Sequence, residues 1–175
     1  MASNSRQEDR ILGNLDSADG MGLVRMQDLL NTDIEDVWSA ITDPSRLGSW
    51  YGEISGDLRA GGEYQARVFF SGWEGSGRVE TCERPRRLVV TGAEPDQDHE
   101  DVTDITLTSE GDQTMLVLEQ RGLPLAYLAA FGAGMQVHIE DLAAHLAGKE
   151  RCDGVARMDE LLPAYEALAG NMDEP

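Results

Sequence analysis

The feature that most limits the fold is a single long helical repeat placed after a run of strand-like segments. Leu128, Phe131, Met135, His138, Leu142 and Leu146 recur every three or four residues, the spacing of one helical face. This predicts one helix over residues 124–147, with an apolar stripe and an acidic back at Glu140 and Asp141. Upstream, Tyr64, Ala66, Val68 and Phe70 alternate with Gln65 and Arg67. One face is apolar and one is wet, as in an antiparallel sheet covered on one side only. Such a sheet needs one cover, and the long helix is the only element big enough to supply it.

The remaining segments fit that plan. Residues 1–9 are polar and expected to be disordered. Residues 10–15 and 22–30 read as a hairpin around Asp16–Gly20, with Asp19-Gly20 the strongest turn signal. Thr32 and Glu35 have capping-box spacing, and Ile34, Val37, Trp38 and Ile41 follow on one helical face. Asp43-Pro44 stops that helix and starts a second short one, with Leu47, Trp50 and Tyr51 as its apolar face. Residues 71–77 read as a glycine-rich turn carrying Trp73, and residues 92–101 as an acidic loop. Strands are expected at 78–82, 87–91, 102–108 and 114–120. Residues 153–169 read as a short helical tail that Pro163 breaks. The fold class is α+β: a curved antiparallel sheet of about six or seven strands wrapped around one long C-terminal helix, the helix-grip arrangement. The expected organisation is one domain over residues 10–148 with a helical C-terminal extension over 149–175.

Composition narrows the function. With 33 acidic against 14 basic residues in 175, the formal net charge is −19. A surface this negative repels phosphate backbones and anionic lipid, which argues against nucleic-acid and polybasic membrane partners. No run of about 18 apolar residues is present for a membrane span, and residues 1–20 lack a signal peptide's apolar core. A cytoplasmic location is the expectation. The two cysteines, Cys82 and Cys152, form no CxxC pair and fit a reducing compartment with both thiols free.

Val37-Trp38, then Ala40 to Pro44, Leu47, Trp50-Tyr51 and the run from Asp57 to Tyr64 carry a recognisable pattern. Gly77 to Val79, Glu83 to Leu88 and Gly134 to Gly148 (GMQVHIEDLAAHLAG) extend it. Over residues 11–148 the chain resembles the homologues of the activator of heat-shock-protein-ninety ATPase, a branch of the START-related SRPBCC superfamily. The resemblance implies a helix-grip fold with a cavity between sheet and helix, but no particular reaction. Two positions depart from the family pattern: Met135 stands where Trp is common, and Asp28 where a basic residue is common. Met at position 135 would widen the cavity there.

Trp50, Tyr51, Tyr64, Phe70, Trp73, Met135, His138 and Leu142 are the candidate ligand-binding residues, since their elements would surround such a cavity. Trp38, mid-face on a capped helix, reads as core. The glycines flanking Trp73 would leave room at that end of the sheet. His138 lies on the apolar stripe, either as a core histidine or as an acid–base group, but the sequence places no catalytic partner beside it. His138, Asp141 and His145 share a helix side, yet further metal ligands are missing. Glu94, Asp96, Asp98, Glu100 and Asp101 read as a solvated acidic loop, without the glycine and terminal glutamate of a calcium loop. No phosphate-binding glycine motif is present. One of Glu119 and Gln120 should point inward at the cavity mouth. The leading reading is a protein that binds a small hydrophobic molecule, aromatic or acyl, with no cofactor or metal. The alternatives are a cyclase- or hydrolase-like enzyme using His138, and a co-chaperone-like interaction module. A homodimer and a protein partner stay open.

Overall fold

The structure, a computed structural model, describes residues 10–93 and 100–172. The expected disordered N-terminus, and Glu94, Asp96 and Asp98 of the acidic loop, lie outside the described residues. In chain order the elements are β1 (Gly13–Ala18), β2 (Met21–Leu30), α1 (Ile34–Thr42), α2 (Pro44–Trp50), β3 (Gly52–Gly56), β4 (Glu63–Val68), β5 (Glu74–Glu83), β6 (Arg87–Ala93), β7 (Asp101–Glu110) and β8 (Gln113–Leu123). A single 3₁₀ turn, Leu125–Tyr127, leads into α3 (Leu128–Leu146), and α4 (Gly154–Met172) follows. The strands form one 8-stranded antiparallel sheet in the order β1-β2-β8-β7-β6-β5-β4-β3. This is the expected helix-grip plan with one strand more than foreseen. None of the described helices is long and apolar enough to cross a membrane.

Local signals explain most boundaries. Asp19 and Gly20 take φ values of 55° and 80°, the positive pair that a tight hairpin turn demands, so β1 runs on through Ala18 rather than ending before Asp16. The α1 cap is a correction: Asp33, not Thr32, accepts from the Asp36 backbone N–H at 2.9 Å. The Thr32 hydroxyl instead donates to the Asp36 carboxylate at 2.7 Å. Asp43 caps α2 through Ser45 N–H at 2.9 Å, with Pro44 in the first turn, as expected.

Residues 74–77 are strand rather than turn. Gly75 and Gly77 pair with Ala66 and Tyr64, and large rings lie over them. A Cβ at Gly75 would sit 2.4 Å from the Trp73 ring, and one at Gly77 2.5 Å from the Tyr64 ring. The missing side chains therefore make a floor for aromatics and do not leave empty room beside Trp73. Gly92, Ala93 and Asp101 likewise belong to strands β6 and β7, not to a loop.

The largest departure is α4. It runs unbroken through Pro163, which lies on the exposed side along with Asp159, so the Asp159 carbonyl that proline leaves unpaired faces solvent. The helix packs on α3 and β1, and this second cover explains why the back of α3 is not solvated. Asp141 is buried, and Glu140 is held side-on by Arg157, whose Nε and Nη2 each donate to it at 2.8 Å. At the junction the Tyr165 hydroxyl donates to Gln136 Oε1 at 2.6 Å and accepts from Gly13 N–H at 3.1 Å. Gln136 also accepts from Leu12 N–H and donates to the Arg10 carbonyl.

Helix α3 crosses the β1–β2 end of the sheet. There Val24, Met26, Leu116 and Leu118 are sealed beneath it. Toward β4–β7 the same concave face stays partly open: Tyr64, Gly92, Asp101 and Thr103 share its parity and remain partly accessible. The parity of β4 is the expected one, with Gln65 and Arg67 outside and Ala66 and Val68 buried.

Candidate functional site

Tyr51 follows the last turn of α2, where its N–H closes onto Leu47 and its carbonyl accepts from Phe69 N–H at 3.0 Å. These bonds bring the α2–β3 corner and the β4–β5 connection against α3. The His138 ring meets Tyr51 edge-on at 5.0 Å and Phe70 edge-on at 5.6 Å. Tyr64 reaches across Gly77 to donate its hydroxyl to the Thr91 carbonyl at 3.1 Å. Burial, and then the charge of Asp101, pushes the Tyr51 hydroxyl up to about 12. Tyr64 moves the same way through burial, Tyr51 and Asp101. Tyr51, Tyr64 and Asp101 are thus one neighbourhood on the open half of the concave face.

Gln120, not Glu119, points inward. It is 8% exposed and donates its Nε2 to Asp101 Oδ2 at 2.8 Å. Its Oε1 and the Nδ1 of His138 are shut off from solvent with no hydrogen-bond partner among the described residues. The His138 ring as a whole keeps some exposure, but this nitrogen does not.

Of the eight candidates, Tyr51, Phe70 and His138 touch, and Tyr64 joins them through Asp101. Trp73 lies over Gly75, and its ring edge approaches Gly92, on the same face. Met135 is half-buried on the His138 side of α3. Trp50 and Leu142 are core residues; the Trp50 ring touches Tyr51 at 5.4 Å, and its Nε1 donates to the Ala40 carbonyl at 2.9 Å. Asp28 shares the inward parity, where Arg10 pairs with it at 2.7 Å. Sequence reading missed Asp101 and left Gln120 undecided. An alternating strand ending in Asp at one edge and Gln at the next was the available signal.

Two open clefts flank the cluster. One, of about 460 Å³, is lined by Ser49, Phe69, Phe70 and residues 150–155. Its far wall is fastened by Arg151 stacked 4.7 Å over Phe69 and by Cys152 N–H donating to Asp141 at 3.0 Å. The other, of about 510 Å³, lies mainly on the outward parity of the sheet, where Glu63, Gln65, Ser76, Arg78 and Thr91 line it. Phe70 faces both the first cleft and His138.

The remaining chemistry-bearing side chains point elsewhere. His145 Nε2 accepts from Arg46 at 3.2 Å, while Asp141 faces Cys152, so the three α3 residues do not converge. Burial, with Asp141 close by, pushes the Cys152 thiol up to about 12, which keeps it protonated and weakly nucleophilic at neutral pH. Among the described residues no three His, Cys, Asp or Glu side chains gather as a metal would require.

Burial holds His138 down at about 4, from an ordinary value of 6.5. Between those values the unfolded chain takes up a proton that the folded chain refuses, so stability falls as pH drops through that window. The loss reaches about 3 kcal/mol at most. His138→Phe should flatten this part of the profile, read as the pH dependence of the urea midpoint. Parallel profiles for the two proteins would show that the ring is solvated.

Residues 31–147 match the family described as Activator of Hsp90 ATPase homolog 1-like protein. A comparison with curated proteins found no match. Among solved structures, the crystal structure of CalU16 from Micromonospora echinospora is 25% identical, with a TM-score of 0.74 over 90% of this chain and 96% of that one. The solution structure of CalU16 is 24% identical, with a TM-score of 0.76 over 99% and 100%. DynU16, from the dynemicin biosynthetic locus, is 28% identical, with a TM-score of 0.68 over 78% of this chain and 51% of that one. With the helix-grip fold and a family match covering most of its length, this chain belongs to the Activator of Hsp90 ATPase homolog 1-like family.

Proposed function

We propose that the protein binds a small, largely apolar molecule, aromatic or acyl, against the open half of the concave face. The observation that carries this reading is the contrast across one sheet face. The β1–β2 end is sealed by α3, whereas Tyr51, Tyr64, Phe70, Trp73 and His138 at the other end keep access to solvent. Aromatic walls with a few polar groups are the usual make-up of small-molecule sites. The similarity to DynU16, from a biosynthetic locus, supports the same direction. The reading includes a cytoplasmic site of action, which the two unpaired thiols fit. An acid–base role for His138 has less support, because its ring contacts are Tyr51 and Phe70 and burial keeps it neutral.

Native mass spectrometry of protein purified from its own host should show a retained mass that denaturation releases. Calorimetric titration with 2-naphthol should give saturable binding. Binding should weaken at least about fivefold in Phe70→Ala, since a lost ring contact is worth about 1 kcal/mol or more. No retained mass together with no saturable binding would refute the reading.

A further inference from the structure

We infer that this site selects a ligand that carries a hydrogen-bond donor and no negative charge, such as a hydroxylated or amino-bearing aromatic, and that Gln120 Oε1 receives the donor. The inference rests on the ligand-binding reading and adds the chemistry of selection to it.

The orientation of the Gln120 amide follows from its partner. A carboxylate accepts hydrogen bonds and does not donate them, so the NH₂ end must face Asp101, as it does at 2.8 Å. Oε1 is then left with no partner and no solvent contact among the described residues, on an inward-facing position of β8 opposite Thr103. A buried acceptor of this kind is satisfied only by something that brings an O–H or N–H to it. An analogue lacking that donor leaves the acceptor unpaired in the complex, and this is how polar sites reject close isosteres.

Charge sets the second condition. Asp101 is the charge that acts on both the Tyr51 and Tyr64 hydroxyls. A carboxylate ligand beside the tyrosines would sit close to the Asp101 carboxylate. Like charges at close range in a poorly solvated site repel strongly. His138, held neutral, offers a second polar edge without supplying a counter-charge.

Three probes with one ring system test this by calorimetry: 2-naphthol, 2-methoxynaphthalene and 2-naphthoate. The naphthol should bind about tenfold tighter than the methyl ether, the worth of one hydrogen bond. The naphthoate should bind at least about tenfold weaker than the naphthol, reflecting the unfavourable charge. In Gln120→Leu the naphthol and its ether should become equal. Equal binding of naphthol and ether to the unmodified protein, or tighter binding of the naphthoate, overturns the inference and leaves the ligand-binding reading standing. The same follows if Gln120→Leu folds and still discriminates. Failure of all three probes to bind overturns both. The comparison on the unmodified protein decides the matter even if Gln120→Leu does not fold.

Discussion

Tyr165→Ala is expected to lower the unfolding free energy by about 4 kcal/mol, in the range for removing a large buried aromatic. The ring is 0% exposed and lies in a slot that two glycines keep open. A Cβ at Gly132 would sit 2.6 Å from the ring, and one at Gly13 would sit 2.8 Å from the hydroxyl. Removing the ring empties the slot and leaves the Gly13 N–H without the hydroxyl it donates to. Tyr165→Phe keeps the ring and removes only the hydroxyl, so about 1–2 kcal/mol should be lost. Urea denaturation measures both. A loss below about 1 kcal/mol for the alanine variant would mean that α4 is not docked as described.

Trp50→Ala is expected to cost about 3–5 kcal/mol, and its main effect should be on stability rather than on ligand affinity. Trp50 is 7% exposed in the core, and its indole N–H is tied to the α1 carbonyl of Ala40 at 2.9 Å. It therefore fastens α1 to α2 and stands behind Tyr51 rather than beside it at the open face. The milder Trp50→Phe variant should remain folded and bind 2-naphthol within about twofold of the unmodified protein. A tenfold loss of affinity in that variant would move Trp50 into the ligand contact surface.

The sheet parity, the proline-split helix pair and the long α3 were legible because each rests on a short-range rule. Alternation along a strand, Pro44 after a capping Asp43, and a three-to-four-residue stripe all act within a few residues. The capping assignment slipped by one position because Thr32 and Asp33 can each serve as a cap by local chemistry, and the Thr32 hydroxyl found Asp36 instead. The glycines at 75 and 77 looked like turn residues because composition cannot distinguish a bend from a floor under an aromatic ring. That distinction depends on Trp73 and Tyr64 folding back over the strand. The site was half legible for the same reason. Aromatic residues near turns signalled a pocket, but Asp101 sat in an acidic run, and only the pairing of β6, β7 and β8 turns it inward to meet Gln120. Pro163 was misleading because its breaking effect depends on whether the freed carbonyl is buried, which a helix exposed on one side avoids.

The bond between Gly13 and Tyr165 joins residues 152 positions apart. It closes the first strand against the second long helix, so neither can reach its final packing without the other. As the chain emerges from the ribosome, the central hairpins can pair early and α3 can cover Met26, but the slot between Gly13 and Gly132 fills only when Tyr165 docks. Contacts so distant in sequence are slow to form. Until then the ring-shaped slot beside β1 stands empty. The rate at which β1 and α4 meet therefore sets how long that slot stays open.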